Sequence, residues 1–172
     1  MKKILLLALF AFVLFQPVFA GENNFANPWE EFFPDGLIDA DNNVIPIEHL
    51  EGKIVGLYFS ASWCRGCCSF SREFVPFRNK HSDKFEVVLV GFDYSAAEMA
   101  SYMKNYKMKW TAIPWDSPSR LAMKEKYQIS EIPTLIIFSP NGKIITMDGH
   151  QEVMTMGDEA ITHWEKMAAE MK

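Results

Sequence analysis

Two near-continuous apolar runs, Lys53-Ile54-Val55-Gly56-Leu57-Tyr58-Phe59 and Phe85-Glu86-Val87-Val88-Leu89-Val90, restrict the fold more than any other feature of the chain. Runs that lack polar alternation mark strands covered on both faces, as in a parallel sheet flanked by helices. Parallel neighbours need a crossover, and between the runs Phe70, Phe74 and Phe77 recur at helical spacing. Extended back by one step, that stripe reaches Cys67. Strand, helix and strand in this order form a βαβ unit.

Downstream, Ser95-Ala96-Ala97-Glu98 is a capping box ahead of a helix face made by Met99, Tyr102, Met103 and Tyr106. Ser117-Pro118 opens another helix running toward Tyr127. Thr134 to Phe138 and Lys143 to Met147 read as strands, and the Asn141-Gly142 pair between them favours a hairpin. Ile161, Trp164, Met167 and Met171 stripe a last helix. Upstream, Gly21 to Pro34 reads as an irregular lead-in whose Phe25, Trp29, Phe32 and Phe33 pack on the body. Asp39 to Asn43 is a turn joining two short strands, because a calcium loop would need glycine and glutamate where Val44 and Leu50 stand. The expectation is one α/β domain over residues 36–172, a central mixed sheet flanked by helices, with the last strands turning antiparallel.

The first twenty residues have the layout of a secretory signal: Lys2 and Lys3, an apolar stretch from Ile4 to Phe15, Pro17, and Val18-Phe19-Ala20 before Gly21. That stretch is too short to span a bilayer as a helix, so cleavage after Ala20 and a periplasmic or secreted location are expected. The net charge of −5 argues against nucleic acid as a partner.

Outside the reducing cytosol the three cysteines of the chain, all within Trp63-Cys64-Arg65-Gly66-Cys67-Cys68, do not read as redox-silent. A stabilising staple is the weakest reading, since so small a loop restricts the unfolded chain little. Cys-x-x-Cys between an apolar strand and a helix suits dithiol exchange: the helix N-terminus and the neighbouring Arg65 both stabilise a thiolate at Cys64. Cys67, on the side of the phenylalanine stripe, is shielded; Cys64 therefore attacks and Cys67 resolves the mixed disulfide. Cys68 lies about 100° around the helix and reads as a buried core residue.

"GLYFSASWCRGCC", "FEVVLVGFD" and "WTAIPWDSPSRLAMKEKYQISEIPTLIIFSPNGKII" resemble, in order, segments of the thioredoxin superfamily, and more narrowly of its tryparedoxin and nucleoredoxin branch. The resemblance runs from Gly36 to Trp164. It implies a thioredoxin-like fold, disulfide exchange at Cys64 and Cys67, and a cis peptide between Ile132 and Pro133 whose loop lies against the pair and meets the substrate backbone. From the residues alone, Pro133 could equally be trans at the entrance to an edge strand. Two departures matter. The dipeptide Arg65-Gly66 replaces the Pro-Pro usual in the branch, making the loop more flexible and more cationic, so a redox potential does not carry over. Tyr58 stands where thioredoxin keeps a buried carboxylate, which leaves the proton of Cys67 to water or another group, with Glu131 as candidate.

The expected activity is that of a protein-disulfide reductase: a monomer without cofactor or metal beyond its own sulfurs, acting on protein thiol and disulfide substrates and recharged by an upstream redox partner, membrane-bound in comparable exported proteins. A disulfide-forming oxidase shares the same two sulfurs and is favoured by Arg65. A Cu(I) chaperone would use Cys64 and Cys68 at Cys-x-x-x-Cys spacing with Met147, His150, Met154 and Met156, but Ser130 to Thr134 supplies no histidine. A non-enzymatic adaptor is disfavoured by the intact Cys-x-x-Cys. His49, His81 and His163 read as solvated surface residues.

Overall fold

The computed structural model describes residues 27–171; the expected export signal, Gly21 and Phe25 lie outside the described residues. The lead-in is not wholly irregular. It carries a one-turn helix α1 (Trp29–Phe32), with Trp29 and Phe33 buried, because a cluster of aromatic side chains gains more by packing on the sheet than by staying solvated. Strands β1 (Leu37–Ile38) and β2 (Val44–Ile45) follow as an antiparallel pair. Between them Asp39 Oδ1 accepts the N–H groups of Asp41 and Asn43, and Asn42 takes a positive φ of 63°.

After a 3-10 turn (Ile47–Leu50) come β3 (Ile54–Ser60), α2 (Arg65–Lys80), β4 (Phe85–Gly91) and α3 (Ala96–Asn105). The β3 and β4 strands pair in parallel and every residue of both is buried, as their unbroken apolar composition requires. Ser95 caps α3, its Oγ accepting the Glu98 N–H, an interaction typically worth about 1 kcal/mol. The rest of the domain is β5 (Thr111–Ala112), α4 (Ser119–Lys126), β6 (Thr134–Phe138), β7 (Ile144–Thr146), α5 (Gly149–Met156) and α6 (Glu159–Glu170).

The sheet order is β2-β1-β5-β4-β3-β6-β7, with β6 antiparallel to β3 and β7 antiparallel to β6. One face of the sheet packs the α2 stripe of Phe70, Phe74 and Phe77 with Met99, Tyr102 and Trp164 of α3 and α6. The other face packs Val55, Leu57 and Phe59 with Trp29, Leu50 and Met123. This is the expected α/β arrangement, with α1, the 3-10 turn, β5 and α5 added. Helix α5 lies so close to β6 that a Cβ on Gly149 would stand 2.8 Å from the Leu135 carbonyl oxygen, an approach only glycine permits.

Candidate active site

The site forms where β3 ends and α2 begins. Cys64 is the N-cap of α2, with extended backbone, and the Cys67 N–H donates to its Sγ at 3.1 Å. A sulfur thus takes one of the N–H groups that the first helical turn leaves unpaired, and sits where the helix dipole favours negative charge. The two sulfurs are joined as a disulfide. Cys64 is half-buried, whereas Cys67 is fully buried, in line with the phenylalanine stripe.

Three contacts position this turn. Ser62 donates both its N–H (2.9 Å) and its hydroxyl (2.6 Å) to Oδ1 of the buried Asp93, just past β4. Trp63 donates its indole N–H to the Phe92 carbonyl at 2.9 Å and stacks on Tyr94, both rings being exposed. On the opposite side the Ile132–Pro133 peptide is cis, the Ile132 carbonyl oxygen lies 3.6 Å from Cys64 Sγ, and Gly66 faces the proline ring, where an added Cβ would stand 3.4 Å from Pro133 Cδ. Trp63, Phe92, Ile129 and Ile132 line a shallow apolar groove beside Cys64, with Lys124 and Glu131 on its rim. Arg65 is exposed on the first turn of α2.

Several residues fall elsewhere than expected. Glu131 is exposed, its carbonyl accepting the Thr134 hydroxyl at 2.7 Å, and no hydrogen bond joins it to Cys67 among the described residues. What reaches Cys67 is Tyr58, whose hydroxyl donates to the Cys67 carbonyl at 3.3 Å and contacts Ser71 Oγ at 3.0 Å. Ser71 and Ser60 both meet the Tyr102 hydroxyl, at 2.7 and 2.9 Å, so four buried hydroxyls form one chain. Burial pushes the Tyr58 and Tyr102 phenols up, keeping both neutral. Cys68 is half-buried rather than part of the core; it donates to the Ser62 carbonyl at 3.2 Å and borders a cleft with Tyr102 and Tyr106.

Of the histidines expected at the surface, His49 and His163 are exposed, although His49 Nε2 also lies 2.6 Å from the buried Glu86 carboxylate; His81 is only partly exposed and pairs with Asp158 at 2.9 Å. His150 sets its ring edge-on to Phe70 of α2, at 4.4 Å between centroids, which turns it to the helix core.

Residues 52–144 match the sequence profile of a family described as Thioredoxin-like. Nucleoredoxin of Bos taurus is 35% identical over 135 residues, which cover 76% of this chain and 31% of the bovine protein. The chain spans about a quarter to a third of the length of the curated relatives it matches. Tryparedoxin II from C. fasciculata is similar in structure with a TM-score of 0.70 and 32% identity, covering 77% of this chain and 90% of that one. Tryparedoxin from Trypanosoma brucei has a TM-score of 0.71 and 31% identity, over 80% and 98% of the two chains.

Proposed function

Since the chain belongs to the thioredoxin-like family that includes the nucleoredoxins and tryparedoxins, we propose that it is a thiol-disulfide oxidoreductase working as a protein-disulfide reductase in an extracytoplasmic compartment. One observation carries the reading. Of two bonded sulfurs at a helix N-terminus, Cys64 is partly open and accepts a backbone N–H, while Cys67 is closed off beneath it.

In the reduced protein the Cys64 thiolate attacks one sulfur of a substrate disulfide, and the other substrate sulfur leaves with the electron pair and is protonated by water. The Cys67 thiolate then attacks Cys64 Sγ, forming the intramolecular disulfide and releasing the second substrate sulfur. Two electrons pass from the dithiol to the substrate, and an upstream dithiol partner restores them. The apolar groove between Trp63 and Ile132 receives the substrate segment next to its cysteine, and the Ile132 and Pro133 loop meets the substrate backbone.

Support for export is the Lys2 to Ala20 pattern. No helix among the described residues is long and apolar enough to cross a membrane.

The test is Cys67→Ser expressed in the native compartment. Mixed disulfides held by Cys64 accumulate, are released by dithiothreitol, and disappear in the Cys64→Ala, Cys67→Ser double variant. A Cys64→Ala protein that still reduces a model disulfide at the native rate refutes the assignment. An extracellular or periplasmic protein whose N-terminus is Gly21 supports export, and a full-length protein confined to the cytosol excludes it.

A further inference from the structure

Exchange between Cys64 and Cys67 leaves the third thiol, Cys68, without a part, and Cys68 stands at one end of a trough. On the α3 side of α2, Ser62, Cys68, Glu98 and Tyr106 wall a cleft of about 370 Å³. Asn105 and Tyr106 also line a second cleft of about 780 Å³, which follows α2 past Arg72, Val75 and Pro76 to the turn after α3, where Lys107 and Lys109 stand. Each cleft is within the size range of small-molecule sites, roughly 300–1,000 Å³. Arg72 lies four residues after Cys68, one turn on along the same face of α2. Arg72, Lys107 and Lys109 are exposed and in no ion pair among the described residues, although the neighbouring Lys104 pairs with Asp41 at 2.8 Å. In a chain of net charge −5, three unpaired cations around one cleft without a carboxylate make a local positive field. Glu98, the carboxylate of the smaller cleft, lies at the Cys68 end and accepts the Tyr94 N–H at 2.9 Å. Tyr106 joins the two halves: its phenol is pushed above its ordinary value first by contact with the Cys68 sulfur, with burial adding to this and the Arg72 charge opposing it. Neither cleft shares a residue with the groove beside Cys64.

We infer that this trough seats small acidic disulfides and that Cys68 exchanges with them, its sulfur meeting a sulfur of the ligand while Arg72, Lys107 and Lys109 hold the ligand's carboxylates. The ligand class follows from the two ends of the trough. At one end a thiol exchanges with sulfur; at the other, cations that lack a partner take carboxylates through charge-assisted hydrogen bonds. The Cys68 thiol, which donates to the Ser62 carbonyl at 3.2 Å, gives its proton to water, and the thiolate attacks one ligand sulfur. The ligand S–S bond breaks and a disulfide between Cys68 and one half of the ligand forms. The other half leaves with the electron pair and takes up a proton from water. Cys68 is thereby oxidised, and the departing half is reduced to a thiol. The step does not depend on exchange at Cys64, and it is open in the oxidised protein, where Cys64 and Cys67 are joined and Cys68 is the free thiol.

The test mixes the oxidised full chain with three disulfides of different charge: glutathione disulfide, which is anionic, hydroxyethyl disulfide, which is neutral, and cystamine, which is cationic. The rate of adduct formation on Cys68, read by intact mass and peptide mapping, is divided by the rate of N-acetylcysteinamide with the same disulfide, which removes differences in intrinsic reactivity. The normalised rate is expected to be about tenfold higher for the anionic disulfide than for the neutral one, the low end of what a charged cleft adds to association, and lowest for the cationic one. Added salt shrinks the advantage. Arg72→Gln combined with Lys109→Gln is expected to abolish it without changing the neutral rate, whereas Lys166→Gln, which removes a charge from α6, leaves it in place. Cys68→Ser forms no adduct. If the paired variant loses its thermal unfolding transition, Arg72→Gln alone decides, with a partial loss of the advantage expected. Equal normalised rates for the three disulfides, or an advantage that survives the substitutions, overturn the site. An adduct carried by Cys64 or Cys67 while Cys68 stays free overturns it as well.

Discussion

Replacing Arg78 by methionine tests how the active-site helix is tied to the sheet. Glu86 of β4 is fully buried, and Arg78, in the last turn of α2, grips both of its carboxylate oxygens, Nε reaching Oε1 at 3.0 Å. The Val87 N–H adds a bond at 2.9 Å, His49 lies at 2.6 Å, and Lys53 at 3.8 Å. Removing one partner of a buried pair leaves an uncompensated charge and costs roughly 3–5 kcal/mol. His49 and Lys53 remain near the carboxylate, which places Arg78→Met near the lower limit, about 3 kcal/mol. For a chain of 172 residues, at roughly 2–4 °C per kcal/mol, the melting temperature falls by about 6–12 °C. The double variant Arg78→Met, Glu86→Leu removes the desolvation cost of both ions and returns to within about 1 kcal/mol of the native protein. His49 and Lys53 then turn to solvent, since their side chains are already 41% and 22% exposed. Urea titrations of the three proteins measure this. A single variant destabilised by less than about 1 kcal/mol, or a double variant as unstable as the single one, would refute the reasoning.

Gly66→Ala is expected to fit, because the added methyl meets only the Pro133 ring, at 3.4 Å, and to gain about 0.5 kcal/mol through lower unfolded-chain entropy; a lower urea midpoint would contradict the geometry. The hydroxyls of Ser117 and Ser119 hold the Asp35 carboxyl below its ordinary value, so its contribution to stability is present above the unfolded value and lost as pH falls through the folded one. Asp35→Asn therefore shows a shallower loss of stability than the native protein in urea midpoints taken from pH 5 down to pH 2. Burial against Phe70 lowers the His150 value, so the neutral ring is fully stabilising above about pH 6.5, its unfolded value, and the contribution is lost on acidification. His150→Gln should flatten the stability profile between pH 7 and 5, and an unchanged slope would show that the histidine does not titrate with folding.

What could be read in advance was what periodicity and local chemistry encode. The parallel pair β3 and β4, the α2 stripe and the Ser95 cap all follow from spacing within one segment. The β5 strand escaped because two residues cannot display a period, and α5 because it buries only Gly149 and Val153, so its fit to β6 shows only in space. Glu86 sits inside an apolar run that gives no hint of the arginine and histidine meeting it from other elements. Tyr58 stood out by its distance from Cys64, yet Ser60, Ser71 and Tyr102 carry no common signal, since three elements supply them. Sequence places Glu131 beside the proline loop, and its exposure, not sequence distance, removes it from Cys67.

The division of labour between the two sulfurs follows from how the turn is held. Ser62 is fixed by Asp93, Trp63 by Phe92 and Tyr94, and Gly66 packs against Pro133, so the backbone around Cys64 is set from β4 on one side and from the loop before β6 on the other. None of these contacts uses the Arg65 side chain, and the Gly66 contact needs no Cβ. The dipeptide is thus free to set the charge and stiffness of the loop while the surrounding frame keeps one sulfur open and the other closed. Variation between the cysteines should then alter the stability of the Cys64 thiolate, and with it the redox poise, more than the order in which the sulfurs react.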